Sequence, residues 1–251
     1  GRKGNVGVPG VIKIMEKTKV ICLIGASGSG KTTITKELEK TGYNIIQSYT
    51  TRPSREDGEW GHTFIEDCFV SYDNNGNLHY ISEGLAANSK TYWGKDMIAY
   101  FNSYNSGHHY FATDEQVLRG YTNIYIVDSK GAEQVHDFYK GTDVEVITVY
   151  LQVDREVRQD RLQRRTANNI VIKHGGIDNG DGTVQIDHLH SDIKTIEKIS
   201  EELTNFILDG DSEIKDRLSK DDKLFQTVKC DYVVDGNQEI DMVVDLVRDV
   251  I

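Results

Sequence analysis

Gly25-Ala26-Ser27-Gly28-Ser29-Gly30-Lys31-Thr32 is the stretch whose reading decides the fold. It fits the pattern G-x-x-x-x-G-K-[ST] without a mismatch, and its surroundings fit as well. Residues 19–24 are apolar and partly β-branched, as a buried parallel strand requires. Residues 33–40 bring Ile34 and Leu38 at helical spacing among good helix formers. Strand, glycine-rich turn and helix together predict a phosphate-binding loop. Glycines let the backbone close around a polyphosphate while N–H groups and the positive end of the helix point inward. In this reading the cradle runs through Gly25, Ala26, Ser27, Gly28, Ser29, Gly30, Lys31, Thr32 and Thr33. Lys31 reaches the outer phosphates and the Thr32 hydroxyl ligates Mg²⁺. A plain glycine-rich turn with a surface lysine is the alternative, and the strand–turn–helix context argues against it. The expected ligand is ATP or GTP with Mg²⁺.

Working outward, 251 residues accommodate one α/β domain with insertions, or two small domains. The formal net charge of −11 speaks against a nucleic-acid or anionic-membrane surface. An acidic protein that takes acidic nucleotides must therefore gather its arginines locally. No apolar run approaches the roughly 20 residues of a membrane-spanning helix. Cys22, Cys68 and Cys230 are far apart and form no C-x-x-C pair, which suggests reduced thiols and a cytoplasmic location. Residues 1–14 lack periodicity and read as a tail or remnant ahead of a natural start at Met15.

Downstream of the first helix a short strand at residues 43–47 leads into Ser48-Tyr49-Thr50-Thr51-Arg52-Pro53-Ser54-Arg55. Two arginines three apart, behind hydroxyl residues and pinned by a proline, make an anion clamp, because guanidinium groups match phosphate oxygens bidentately. Alone, a solvated basic turn would explain them equally well. A phosphate loop, a second strand and S-x-T-T-R-x-x-R in that order resemble the guanylate kinase family. Gly58-Glu59-Trp60-Gly61-His62-Thr63-Phe64 is similar to the family's next motif in shortened form. The resemblance implies that Arg52 and Arg55 grip the phosphate of a nucleoside monophosphate, with Ser48 near the base. It implies that His62 replaces a phosphate-binding tyrosine. In Gly107-His108-His109-Tyr110-Phe111-Ala112-Thr113 it puts Tyr110 on the acceptor phosphate, and in Ile124-Tyr125-Ile126-Val127-Asp128 it puts Asp128 beside the acceptor or the metal. An ordinary helix N-cap is the other reading of Asp128. Arg161-Leu162-Gln163-Arg164-Arg165 resembles the start of the family's lid, with Arg165 as a phosphate contact. Arg217-Leu218, after a long insertion, matches the second lid arginine. The family's base-reading glutamate falls on Phe101, which cannot accept a hydrogen bond, although Glu83 in the insertion could replace it.

The expected fold is a P-loop NTPase-type α/β domain over residues 15–251: a parallel sheet with helices on both faces, an acceptor lobe at about 48–120 and a lid at about 161–217. Residues 69–82 read as a hairpin around Asp73-Asn74-Asn75-Gly76-Asn77. A helix is expected over residues 154–165. Residues 166–190 read as a second hairpin with alternating runs at 169–172 and 183–189, followed by a helix at 193–208. His174, His188 and His190 could converge across that hairpin, but with no cysteine to help them a zinc site is the weaker reading. The expected activity is transfer of the ATP γ-phosphoryl group to GMP or dGMP, with Lys31, Arg165 and Arg217 as catalytic cations. The partners are ATP and a nucleoside monophosphate. The alternatives are another small phosphorylated acceptor or a catalytically silent interaction module.

Overall fold

Alternation along the first strand sets the architecture. In the computed structural model, Val20, Cys22 and Ile24 point to one side of the central sheet and Ile21 and Leu23 to the other, and all are fully buried. A strand apolar on both faces must be sandwiched between helices, and it is. The described residues are 17–55, 58–66, 68–103, 106–180, 182–186, 191–209 and 211–251. The expected tail at residues 1–14, like His188 and His190, lies outside them.

In chain order, β1 (Lys19–Ile24), α1 (Lys31–Lys40) and β2 (Asn44–Ile46) begin the core. Seven strands follow: β3 (Ser48–Thr50), β4 (His62–Phe64), β5 (Phe69–Tyr72), β6 (Leu78–Ser82), β7 (Thr91–Trp93), β8 (Met97–Asn102) and β9 (His109–Thr113). The chain then returns through β10 (Thr122–Ile126), α2 (Ser129–Tyr139) and β11 (Glu145–Gln152). Next come α3 (Arg155–Lys173), β12 (Ile177–Asp178), β13 (Val184–Gln185), α4 (Ile193–Asp209) and α5 (Asp211–Leu224), over the residues expected to form a lid. Strand β14 (Tyr232–Asp235) and α6 (Ile240–Val250) close the domain.

The central sheet has the order β14-β11-β1-β10-β2 and every neighbouring pair is parallel. Ala132, Val135 and Tyr139 of α2 cover one face. Ile34 and Leu38 of α1, with Val243, Val244 and Val247 of α6, cover the other. This is the expected P-loop NTPase-type sheet with helices on both faces. Among the described residues no helix is long and apolar enough to cross a membrane.

Strands β3, β4, β8 and β9 form a second sheet in the order β4-β3-β9-β8, backed by a three-stranded sheet of β5, β6 and β7. The expected hairpin is present as β5–β6, with Asp73 Oδ1 accepting the Asn75 and Asn77 amides at 2.8 Å each. Gln134 of α2 ties the second sheet to the core, donating to the Tyr100 carbonyl and accepting its amide.

The second expected hairpin is corrected. Residues 169–172 are not a strand but the end of α3, which runs eight residues past the expected end at 165, to Lys173. Their alternating pattern is outweighed by helix continuity. No glycine or proline interrupts α3 until Gly175, and Val171 is buried. Among the described residues of this segment, Ile177–Asp178 and Val184–Gln185 pair as strands. His174 hydrogen-bonds to Glu202 of α4 at 2.8 Å.

Candidate active site

The phosphate loop leaves the N-terminus of α1 open. Gly30 caps α1 at φ 94°, no side chain caps the helix, and no acidic residue sits in its first turn. The N–H groups there have no internal competitor for an anion. Gly28 is required twice over: its φ is +78°, and a Cβ would lie 2.8 Å from the Arg158 carbonyl oxygen on α3. Lys31 folds back along the loop, its Nζ donating to the Gly25 carbonyl at 2.5 Å and the Ala26 carbonyl at 3.0 Å. Burial chiefly, with the charges of Arg217, Arg158 and Arg165 adding to it against the opposing pull of Asp221, lowers the Lys31 ammonium to about 8.

Thr32 stands exposed in the first turn of α1. Among the described residues no group of three or more His, Cys, Asp or Glu is placed to hold a metal ion. One open hydroxyl beside open amides suits Mg²⁺, which keeps its waters and takes most of its other ligands from the nucleotide's phosphates.

Helices α3 and α5 bring cations to the loop. On α3, Arg158, Arg161 and Arg165 follow i, i+3, i+7 spacing and share a face. Arg161 donates to the Gly28 carbonyl at 3.4 Å, the Ser29 carbonyl at 3.3 Å and the Gly236 carbonyl at 3.0 Å. Arg158 is buried and bonds the Val153 carbonyl and Asp222 of α5. Arg165 lies below its ordinary range through desolvation, then through the charges of Arg217 and Arg55. Leu162 packs on Ile214 and Leu218, fixing α5 against α3. From α5, Arg217 Nε donates to Ser27 Oγ at 2.8 Å, and Asp221 Oδ2 accepts the Ser27 amide at 2.7 Å.

Strand alternation builds a second anion site. Thr50 pairs with Phe64 and with Tyr110, and Tyr110 with Phe101. Ser48, His62, Phe64, Tyr110 and Phe101 therefore share one face of the second sheet. Tyr49 and Phe111 share the opposite face and stack with centroids 5.2 Å apart. Arg52 lies 5.3 Å from the Phe64 ring centre. Its guanidinium binds Glu59 bidentately, at 2.7 and 3.1 Å. That pairing, with the Arg55 amide donating at 2.8 Å, drops the Glu59 carboxyl to about 2. The Tyr110 hydroxyl lies beside the Arg52 guanidinium and favours its charged form, after Glu59. Burial, then the Arg52 charge, lowers His62 below its ordinary value, and its Nδ1 is buried without a hydrogen-bond partner.

The sequence-derived residues thus fall into two clusters. Lys31, Arg165 and Arg217 gather at the loop, and Arg52, Tyr110 and His62 gather on the second sheet. Arg55 feels both, depressing Arg165 on one side and His62 on the other. Ser48 is tied to the buried Tyr125 hydroxyl at 3.3 Å, and Asp128 caps α2 by accepting the Gly131 amide at 2.7 Å. Glu83 is not available to this face. It accepts the Tyr92 hydroxyl, and Tyr92 packs on Tyr49 and Phe111 on the far side of the sheet. Sequence reasoning missed Arg158, Arg161 and Asp221. Their signal was present in helical spacing: Arg158 lies four residues before Leu162, Arg161 four before Arg165, and Asp221 four after Arg217.

A parallel sheet with β1 at its centre, running into an uncapped glycine-rich loop ringed by a lysine and arginines, defines a phosphate-loop nucleotide-binding protein. The AAA domain family matches residues 21–184, and the chain belongs to that family. Among solved structures, guanylate kinase from Anaplasma phagocytophilum aligns over 94% of this chain and 86% of that one, at 13% identity and a TM-score of 0.40. No curated protein matches.

Proposed function

We propose that the protein is an ATP-dependent nucleoside monophosphate kinase whose preferred acceptor is GMP or dGMP. The observation that carries the reading is a second arginine-bearing site, Arg52 and Arg55 held by Glu59 on the second sheet, in addition to the cations gathered at the phosphate loop. A protein that only binds a nucleoside triphosphate has no use for a second arginine clamp.

The chemistry follows from charge. An acceptor phosphate oxygen is already anionic, so no general base is needed. The residues must bring two polyanions into line and neutralise the charge that spreads over the moving phosphoryl group. Lys31 and the α1 amides hold the donor phosphates, and Arg165 and Arg217 face the transferred group. Mg²⁺ held through Thr32 supplies charge neutralisation on the donor. Arg52, Arg55 and Tyr110 hold the acceptor phosphate, with Glu59 yielding Arg52 to it. His62, Ser48 and Asp128 complete the acceptor side of the reading.

Base selectivity is weaker in this reading than a fixed carboxylate would give. Phe101 is 51% exposed on the acceptor face, 6.2 Å from Tyr110. A ring there stacks on a base but accepts no hydrogen bond, and each unmet donor costs about 1–3 kcal/mol, or one to two orders of magnitude in discrimination.

The test is kcat/KM for the four ribo- and four deoxyribonucleoside monophosphates with ATP and Mg²⁺, followed by ADP release. A guanine nucleotide should lead by a modest margin, and folded Lys31→Ala should lose on the order of 10³-fold or more. ADP release that no monophosphate stimulates would remove the acceptor reading, and full activity in Lys31→Ala would remove the kinase.

A further inference from the structure

Helix α5 delivers opposite charges to neighbouring atoms of the phosphate loop. Arg217 meets the Ser27 side chain at 2.8 Å, and one turn later Asp221 meets the Ser27 amide at 2.7 Å. The arginine suits a loop that binds polyphosphate. The carboxylate competes with the ligand, because a loop amide that points at an aspartate cannot point at a phosphate oxygen.

Its place in the loop says which phosphate it opposes. The amides at the start of α1 lie on the helix side of the cradle, where the inner phosphates sit, and the lysine reaches the outer ones. Lys31 Nζ lies at the Gly25 and Ala26 carbonyls, immediately before Ser27, and Asp221 is the anionic group acting on that ammonium. Asp221 therefore stands at the outer-phosphate end. The contact is built rather than casual. Leu218, three residues earlier, is fully buried against α3, and Asp222, the next residue, bonds Arg158 and Arg155. Helix α5 is held so that Asp221 faces the loop.

We infer that Asp221 is a specificity-determining residue that takes the place of the terminal phosphate in the empty loop and sets the relative affinity for nucleoside tri- and diphosphates. A diphosphate fills the α1 side and leaves the Ser27–Asp221 bond in place. A triphosphate brings an anion to the Ser27 end, must break that bond, and moves α5 with it. Arg217 rides on the same helix, so displacing Asp221 repositions the arginine around the arriving phosphoryl group. After transfer the outer end is vacant again, and Asp221 returns to the Ser27 amide with the diphosphate still bound. The inference rests on the proposed function only in taking the loop as an ATP site.

Equilibrium titration of the full chain with Mg·ATP and Mg·ADP tests it, in wild type and in Asp221→Asn, which keeps the shape and removes the charge. ATP affinity should rise about tenfold, the size of one like-charge contact relieved near a protein surface, while ADP affinity changes less than about threefold. Asp221→Ser repeats the measurement should the amide variant fold poorly. In wild type, the Ser27 backbone amide resonance should keep its position with ADP and move with a non-hydrolysable ATP analogue. Equal changes for both nucleotides, weaker ATP binding in the variants, or a Ser27 resonance that moves with ADP would overturn the inference while leaving the ATP site intact. If neither nucleotide binds wild type or variant, the ATP site itself is refuted and the inference falls with it.

Discussion

Binding of ATP should draw a proton from solution at mildly alkaline pH, and Lys31 is the reason. In the empty protein its ammonium titrates near 8 rather than at its ordinary 10.5, chiefly through burial, with three arginine charges adding to the effect. A polyphosphate placed against it reverses both causes. It supplies the missing counter-charge, and it screens Lys31 from Arg217, Arg158 and Arg165. If binding restores the ordinary value, linkage fixes the rest. At pH 8.5 the free lysine is roughly one-quarter protonated and the bound one almost wholly so, giving uptake of about 0.7 proton per nucleotide. At pH 7 uptake falls to about 0.1. Over the same span affinity should decline, by about tenfold between pH 7 and pH 9, because the protonated form is the one that binds. Calorimetric titration in two buffers of different ionisation enthalpy reads the proton count directly. Lys31→Met, folded and assayed at high nucleotide concentration, should show none. Binding at pH 8.5 with no proton exchange in the wild type, or affinity that stays flat to pH 9, would show that Lys31 is not the group that meets the outer phosphates.

The acceptor clamp gives two further expectations. Arg52→Ala and Arg55→Ala should each raise the acceptor KM far more than the ATP KM. Only Arg52→Ala should also cost stability in urea unfolding, about 3–5 kcal/mol, because it strands the largely buried Glu59 carboxylate. Glu59 also sets an acid limit. Its folded pKa near 2 lies below its ordinary 4.5, so its contribution is complete above pH 4.5 and is lost as pH falls towards 2. Acid unfolding of Glu59→Gln should lack that limb, and an unchanged acid profile would rule the pair out as its source.

The central fold was legible because two unambiguous patterns adjoin. A strand apolar on both faces and a glycine-rich turn into a helix allow few arrangements, and β1, the loop and α1 take the expected one. The hairpin at residues 69–82 was legible for a similar reason, since Asp73 and Gly76 mark its turn chemically. The lid was harder to read. Residues 169–172 look like a strand in isolation, and only the length of uninterrupted helix before them decides otherwise. The two clusters of site residues could be guessed from motifs, but what holds them could not. Glu59 stands in a recognisable motif, but nothing in that motif says that it pairs with Arg52. Asp221 lies 194 residues from the Ser27 amide it accepts.

An overall charge of −11 poses a problem for the proposed transfer between two polyanions, and the structure answers it by separation and pairing. The cations that matter are gathered from distant parts of the chain: Lys31 from α1, Arg52 and Arg55 from the segment after β3, Arg155, Arg158, Arg161 and Arg165 from α3, and Arg217 from α5. Burial already depresses the protonation of Lys31 and Arg165, and the repulsion within such a group adds to it in the empty protein. Three carboxylates relieve it, each on a different member: Glu59 on Arg52, Asp222 on Arg158 and Arg155, and Asp221 at the loop beside Lys31. They differ in what a ligand must do to them. Asp222 faces away from the loop amides and can remain paired throughout. Glu59 and Asp221 hold groups that the proposed substrates also need, so each substrate has its own internal competitor to displace. The stability of the empty protein and its affinity for anions are then set against one another at those two carboxylates. Neutralising either one should therefore weaken the empty fold and tighten a ligand in the same stroke.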